Sequence, residues 1–186
     1  MRILMLGNSL STAHGLPGRL GELLDAEVTV HARGGARLAE QLNPATHMGA
    51  LTSAAFDAGG WDCVVMQEVS NAAVKSPGRM VESVSSLSAR AREVGARPIL
   101  YGTWAYAPWC LKLELLGCTS AEMRAAMDVS YHEACAISGA VLADVGGAFW
   151  DHPDPASLYA RDGIHPSEAG TDLAARVLAR AMGGAP

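Results

Sequence analysis

Ile3-Leu4-Met5-Leu6-Gly7-Asn8-Ser9-Leu10-Ser11 is the stretch on which the reading of this chain turns. Its first four residues are apolar without alternation, as in a strand buried on both faces of a parallel sheet. Small polar residues follow. Then Leu16-Pro17-Gly18-Arg19-Leu20-Gly21-Glu22-Leu23-Leu24 takes helical spacing with a proline near its start. A hydroxyl side chain, Ser9, therefore stands where a strand hands over to a helix. In open α/β sheets, sites gather beyond the C-terminal ends of strands. Taken alone, the same residues also read as turn formers and caps, so the rest of the chain must decide.

Four further strand patterns follow in order. Glu27 to Ala32 alternates and is β-branched, Asp62 to Met66 is apolar and so central, Pro98 to Trp104 is a fourth strand, and Ala140 to Val145 a fifth. Helical patterns lie between them. One starts at Leu38, breaks at Pro44 and resumes toward Phe56. Others run from Met80 to Val94, from Thr119 or Ser120 to near Gly139, and from Ser167 to about Met182. The pattern is lost from Ala105 to Ser120, an apolar and aromatic insertion. Trp150 to Tyr159, with Pro153 and Pro155, reads as loop or short helix. No repeat or linker is visible, so residues 1–186 are expected to form one domain. Strands alternating with helices predict an α/β fold, a five-stranded parallel sheet with helices on both faces and the flavodoxin-like order 2-1-3-4-5. In that order the first strand lies between the second and third. Ser9, Gly34-Gly35 and the Gln67-to-Asn71 stretch then meet at one edge of the sheet.

Composition narrows the task. With 186 residues, 49% apolar and 18% charged, the chain can bury a full core. A net charge of −5 without any basic run argues against nucleic acid or anionic membrane as the main partner. No stretch is long and apolar enough for a membrane span, and no signal peptide is visible, so a cytoplasmic location is expected. Oligomeric state is not readable. Cys63 and Cys135 fall in a strand and a helix and read as buried thiols. Cys110 and Cys118 flank one loop and could pair, although structural thiols are the expectation for all four. His14, His31, His47, His132 and His152 share no spacing with one another or with cysteine, so neither a metal site nor a cofactor is expected.

The chemistry-bearing pattern is a serine with a distant base. A serine hydroxyl needs a base to take its proton. Asp162-Gly163-Ile164-His165-Pro166, after the last strand, offers one: at a spacing of three on a tight turn, Asp162 can fix the His165 tautomer while the other ring nitrogen faces Ser9. Acyl transfer also needs donors aimed at a developing oxyanion. The N–H groups of Ser9 and Gly35 are candidates, with the side-chain amide of Asn71 or Gln67 as a third. Trp104, Tyr106 and Trp109 are candidates for an acyl or sugar pocket, or else they bury the insertion.

Gly7-Asn8-Ser9-Leu10, Gly35, Gln67 to Asn71, and Asp162-x-x-His165-Pro166 occur in the order of the four signatures of the SGNH hydrolase superfamily, the GDSL-type esterases and lipases, which this chain resembles. The resemblance implies a three-layer α/β/α flavodoxin-like sandwich. It also implies Ser9 as nucleophile, His165 as base, Asp162 as orienting acid, and an oxyanion hole of Ser9, Gly35 and a side-chain amide. Two residues depart from the pattern. Asn8 stands where the family usually has Asp. Gln67-Glu68-Val69-Ser70-Asn71 replaces Gly-x-Asn-Asp and is closer to the Gln-Gly-Glu-Ser-Asn of carbohydrate acetylesterases, without their Gly. Asn71 is then the first choice for the oxyanion amide, with Gln67 next and Glu68 as a supporting acceptor. The expected function is a serine esterase or acetylesterase acting on a short-chain acyl ester, an acetylated sugar among the candidates. The alternative is a flavodoxin-like binding or regulatory module without catalysis.

Overall fold

The computed structural model describes residues 1–183. Five parallel strands form one sheet: β1 (Arg2–Gly7), β2 (Glu27–Ala32), β3 (Cys63–Met66), β4 (Arg97–Gly102) and β5 (Val141–Asp144), in the order β2-β1-β3-β4-β5. The register pairs Leu6 with His31 on one side of β1 and with Met66 on the other. All three strands therefore end at the same level.

Side-chain alternation explains the layers. Along β1, Ile3 and Met5 face one side while Leu4 and Leu6 face the other. Cys63 and Val65 on β3, and Ile99 and Tyr101 on β4, join Ile3 and Met5. Val64, Met66 and Leu100 join Leu4 and Leu6. The first set packs on Leu16 and Leu20 of α1 (Leu16–Leu24), Phe149 of α8 (Val145–Trp150) and Leu178 of α9 (Glu168–Ala181). The second packs on Leu38 of α2 (Leu38–Leu42), Phe56 of α3 (His47–Ala58), Leu87 of α5 (Pro77–Glu93) and Met127 of α7 (Ser120–Ser138). Both faces of the central strands are thus covered. Each fully buried aliphatic side chain adds about 1.5–3 kcal/mol to holding the layers together. Two short helices, α4 (Ala72–Lys75) and α6 (Lys112–Leu116), sit in the connections after β3 and β4.

Three local details differ from the sequence reading. α6 gives the 105–120 insertion a helical turn of its own. Val145 starts α8 rather than extending β5, because the Asp144 carboxylate accepts from the Gly147 N–H at 2.8 Å and caps a helix there. β4 stops at Gly102, so Trp104 lies in the connection beyond the strand. All four cysteines are free, Cys110 and Cys118 included. Among the described residues no helix is long and apolar enough to cross a membrane, and no group of three His, Cys, Asp or Glu could hold a metal ion.

Candidate active site

The strand-to-helix turn after β1 is built by hydrogen bonds from both sides. Asn8 is buried, and its Oδ1 accepts from the Leu10 N–H at 3.2 Å, closing a single 3-10 turn over Ser9–Ser11. Its Nδ2 donates to the Ala36 carbonyl at 3.2 Å, which ties this turn to the loop after β2. From below, Gln67 Oε1 accepts from the Asn8 N–H and from the Ser11 hydroxyl, each at 3.0 Å. Gly7 allows that approach: a Cβ there would stand 2.8 Å from Gln67 Oε1. The turn holds Ser9 in a fixed place at the open end of the sheet.

Ser9 Oγ lies 3.0 Å from His165 Nε2, and His165 Nδ1 lies 2.6 Å from Asp162 Oδ2. The three side chains form one hydrogen-bonded line. With Nδ1 donating to the carboxylate, Nε2 is left to accept from the serine hydroxyl. The loop carrying the pair is braced by its own backbone, since Asp162 Oδ1 accepts from the N–H groups of Ile164 at 2.9 Å and His165 at 3.0 Å. Two outside contacts add to this. Trp104 Nε1 donates to the Ile164 carbonyl at 2.9 Å, and His14 Nε2 meets the Pro166 carbonyl at 3.1 Å. Burial opposes ionisation of Asp162. The hydrogen bonds from the His165 ring and the two N–H groups outweigh it and hold the carboxyl below its usual range. The acid stays charged, as an imidazole-orienting group must.

The cleft above Ser9 is small, about 190 Å³, and is lined by Leu10, Gly35, Val69, Ser70, Tyr106 and Ile164 together with Asn8, Ser9, Lys112 and His165. Gly35 takes φ +68°, a conformation that suits glycine, and this places its backbone on the cleft wall. Neither the Ser9 nor the Gly35 N–H has a protein acceptor among the described residues. Both are free to meet an oxyanion.

The structure does not bring the two expected amides into the cleft. Gln67 is completely buried under the turn that carries Ser9, with Oε1 shared between Asn8 and Ser11 and Nε2 donating to the Glu68 carbonyl. Its role is to support the turn. Asn71 begins α4, where its carbonyl receives the Lys75 N–H at 2.9 Å, and it lies outside the cleft lining. Ser70 takes the wall position, its hydroxyl 3.0 Å from that of Thr103. Glu68 acts as a buried clamp instead. Its carboxylate accepts from the Leu38 N–H at 3.1 Å and the Val69 N–H at 2.8 Å, joining the loops after β2 and β3. Burial pushes its carboxyl up, and those N–H groups with Arg37 pull it part of the way back.

The three aromatics of the insertion separate. Trp104 is fully buried, stacked on Phe149 with ring centroids 4.0 Å apart, so it is core and loop brace rather than pocket. Tyr106 lines the cleft. Trp109 lines a different hollow beyond it. Sequence reasoning did not single out Leu10, Val69, Ser70, Lys112 or Ile164 as cleft residues. Each neighbours a motif residue or sits in the patternless insertion, where no periodicity tells which side chain turns inward.

A scan against protein-family models finds no match, and a search of curated proteins finds none. Among solved structures, a protein from Slackia heliotrinireducens provisionally assigned as an SGNH hydrolase is 54% identical, with 98% of each chain covered and a TM-score of 0.95. The lipase/acylhydrolase from Enterococcus faecalis is 17% identical, covering 97% of this chain and 94% of that one, at a TM-score of 0.69. Axe2, an acetylxylan esterase from Geobacillus stearothermophilus, is 15% identical, covering 99% and 94%, at a TM-score of 0.70. The last two share the fold.

Proposed function

We propose a specific reaction for this chain, which belongs to the SGNH hydrolase family of carboxylic ester hydrolases: it cleaves short-chain acyl esters through an acyl-enzyme on Ser9. The observation that carries this reading is the continuous line Ser9 Oγ–His165 Nε2–Asp162, at 3.0 and 2.6 Å. In the proposed course, Ser9 Oγ attacks the ester carbonyl as His165 Nε2 takes its proton. The tetrahedral oxyanion is met by the N–H groups of Ser9 and Gly35. The carbonyl re-forms, the C–O bond to the alcohol breaks, and His165 gives its proton to the departing oxygen. Water then repeats the cycle on the acyl group, with His165 as base, and releases the acid and free Ser9. Asp162 stays ionised and stabilises the imidazolium between the two proton transfers.

A short acyl group suits a cleft of about 190 Å³ with Leu10, Val69 and Ile164 on its walls. An acetylated sugar is the alcohol-bearing substrate class to test first, because an acetylxylan esterase is among the proteins of similar fold. We place the reaction in the cytoplasm, a reading that four free thiols support. A series of p-nitrophenyl acetate, butyrate and octanoate tests the proposal. The acetate or butyrate should be the best substrate, and Ser9→Ala should lower kcat/KM by about 10³-fold or more. Full activity in Ser9→Ala would sink the acyl-enzyme course. Best turnover on the octanoate would sink the short-acyl assignment. The rival reading, a binding module, predicts turnover of none of them.

A further inference from the structure

A second hollow lies beside the catalytic cleft, and the reaction above makes no use of it. Its volume is about 280 Å³, and Pro108, Trp109, Phe149, Trp150, Pro155 and Tyr159 bound it. Two chain segments line both the hollow and the cleft, through different residues. Segment 106–112 gives Pro108 and Trp109 to the hollow, and Tyr106 and Lys112 to the cleft. Segment 159–166 gives Tyr159 to the hollow, and Ile164 and His165 to the cleft. The segments are tied together where the Ala107 N–H donates to the Gly163 carbonyl at 2.8 Å.

The lining is held in place from behind. Tyr159 meets Trp109 and Phe149 edge-on, with centroids 5.8 and 5.5 Å apart, and its hydroxyl donates to the Ala105 carbonyl at 2.9 Å. Phe149 is in turn stacked on the buried Trp104. The two largest walls stay half open to water, Trp109 at 47% and Trp150 at 48%. Two half-exposed indoles lining one hollow offer a large apolar contact. A wholly apolar ring seated there would keep one face in water. A pyranose has a face of C–H groups and a rim of hydroxyls. Its face can lie on indole while the rim stays hydrated, so no hydroxyl is buried without a partner.

We propose that this hollow binds the pyranose ring in the alcohol half of the substrate while the ester lies in the adjoining cleft, an inference that rests on the ester-hydrolase reading above. The test compares kcat/KM for methyl tri-O-acetyl-β-xylopyranoside, phenyl acetate and ethyl acetate in the wild type, Trp109→Leu and Trp150→Leu. Relative to ethyl acetate, the sugar should lose about tenfold in each variant, equivalent to about 1.4 kcal/mol, and the aryl ester should lose much less. Melting temperature checks that each variant folds. Trp150→Leu, a change at a half-open position, decides alone if the other does not. An unchanged sugar ratio overturns the proposal, as does an aryl ratio that falls as far as the sugar ratio. If the wild type hydrolyses none of the three, the hydrolase reading fails and binding judges the hollow. Methyl β-xylopyranoside should then quench the tryptophan fluorescence of the wild type saturably and that of Trp150→Leu far less. No saturable quenching in the wild type overturns the proposal.

Discussion

Asn8 precedes Ser9, and the two ends of its amide do different jobs. Oδ1 closes the 3-10 turn through the Leu10 N–H, and Nδ2 holds the Ala36 carbonyl beside Gly35. An aspartate keeps the first contact, loses the second, and sets a carboxylate against a carbonyl in a site only 3% exposed. Asn8→Asp should therefore cost about 1–3 kcal/mol of stability near pH 7. The cost should shrink toward pH 5 as the new carboxyl protonates. Urea denaturation of both proteins at the two pH values measures this, and a variant as stable as the wild type at pH 7 would contradict the role given to Nδ2. The residue scale is also where the sequence is least informative. Ser9, Asp162 and His165 stand out because their types and spacing state a chemistry. Gln67 and Asn71 are both amides at one strand end, and nothing in their spacing tells which side each faces. Packing decides: the absent Gly7 side chain and the Ser11 hydroxyl draw Gln67 beneath the turn.

At the scale of elements, α9 anchors the loop that carries Asp162 and His165. Ser167 Oγ accepts from the Gly170 N–H at 3.2 Å and donates to the Ser157 carbonyl at 2.7 Å, so one hydroxyl caps the helix and pins the preceding segment. Ser167→Ala should lower stability by about 1 kcal/mol and the melting temperature by about 2–4 °C. An unchanged melting curve would show that the cap contributes nothing. Elements with long periodic patterns, such as α5 and α7, are legible because their apolar stripes repeat over several turns. α8 is not, since its six residues are too short for an apolar stripe and the Asp144 cap that starts it shows only in the fold. Trp104 leaves two readings open for a related reason. An aromatic just past a strand looks like a pocket wall, and only the stack on Phe149 shows it turned into the core.

For the whole molecule, the order β2-β1-β3-β4-β5 follows from alternation of strand and helix, because right-handed crossovers leave few arrangements of five parallel strands. That order carries the ends of β1, β2 and β3 to one edge, so the convergence of Ser9 and Gly35 is legible before any coordinate. The aromatic hollow is not, because its walls come from segments 108–109, 149–150 and 155–159, which the sequence keeps apart. Acid sensitivity is a global property with a local source in His31, whose ring Nδ1 lies 3.2 Å from the Thr52 hydroxyl. Burial pulls its pKa below the ordinary 6.5. The unfolded chain therefore takes up a proton below that value while the folded chain resists it, and stability falls as pH drops from 6.5 toward the folded value. Melting temperatures between pH 7 and pH 5 should decline more steeply in the wild type than in His31→Gln, and equal slopes would remove His31 as a cause.

The proposed reaction rests on Ser9 being a nucleophile activated by His165. A fluorophosphonate probe followed by peptide mass mapping tests it most directly. One adduct is expected, on the peptide carrying Ser9, absent from Ser9→Ala and strongly reduced in His165→Ala. No adduct on a folded wild-type protein, or an adduct on another serine that survives both substitutions, would contradict it.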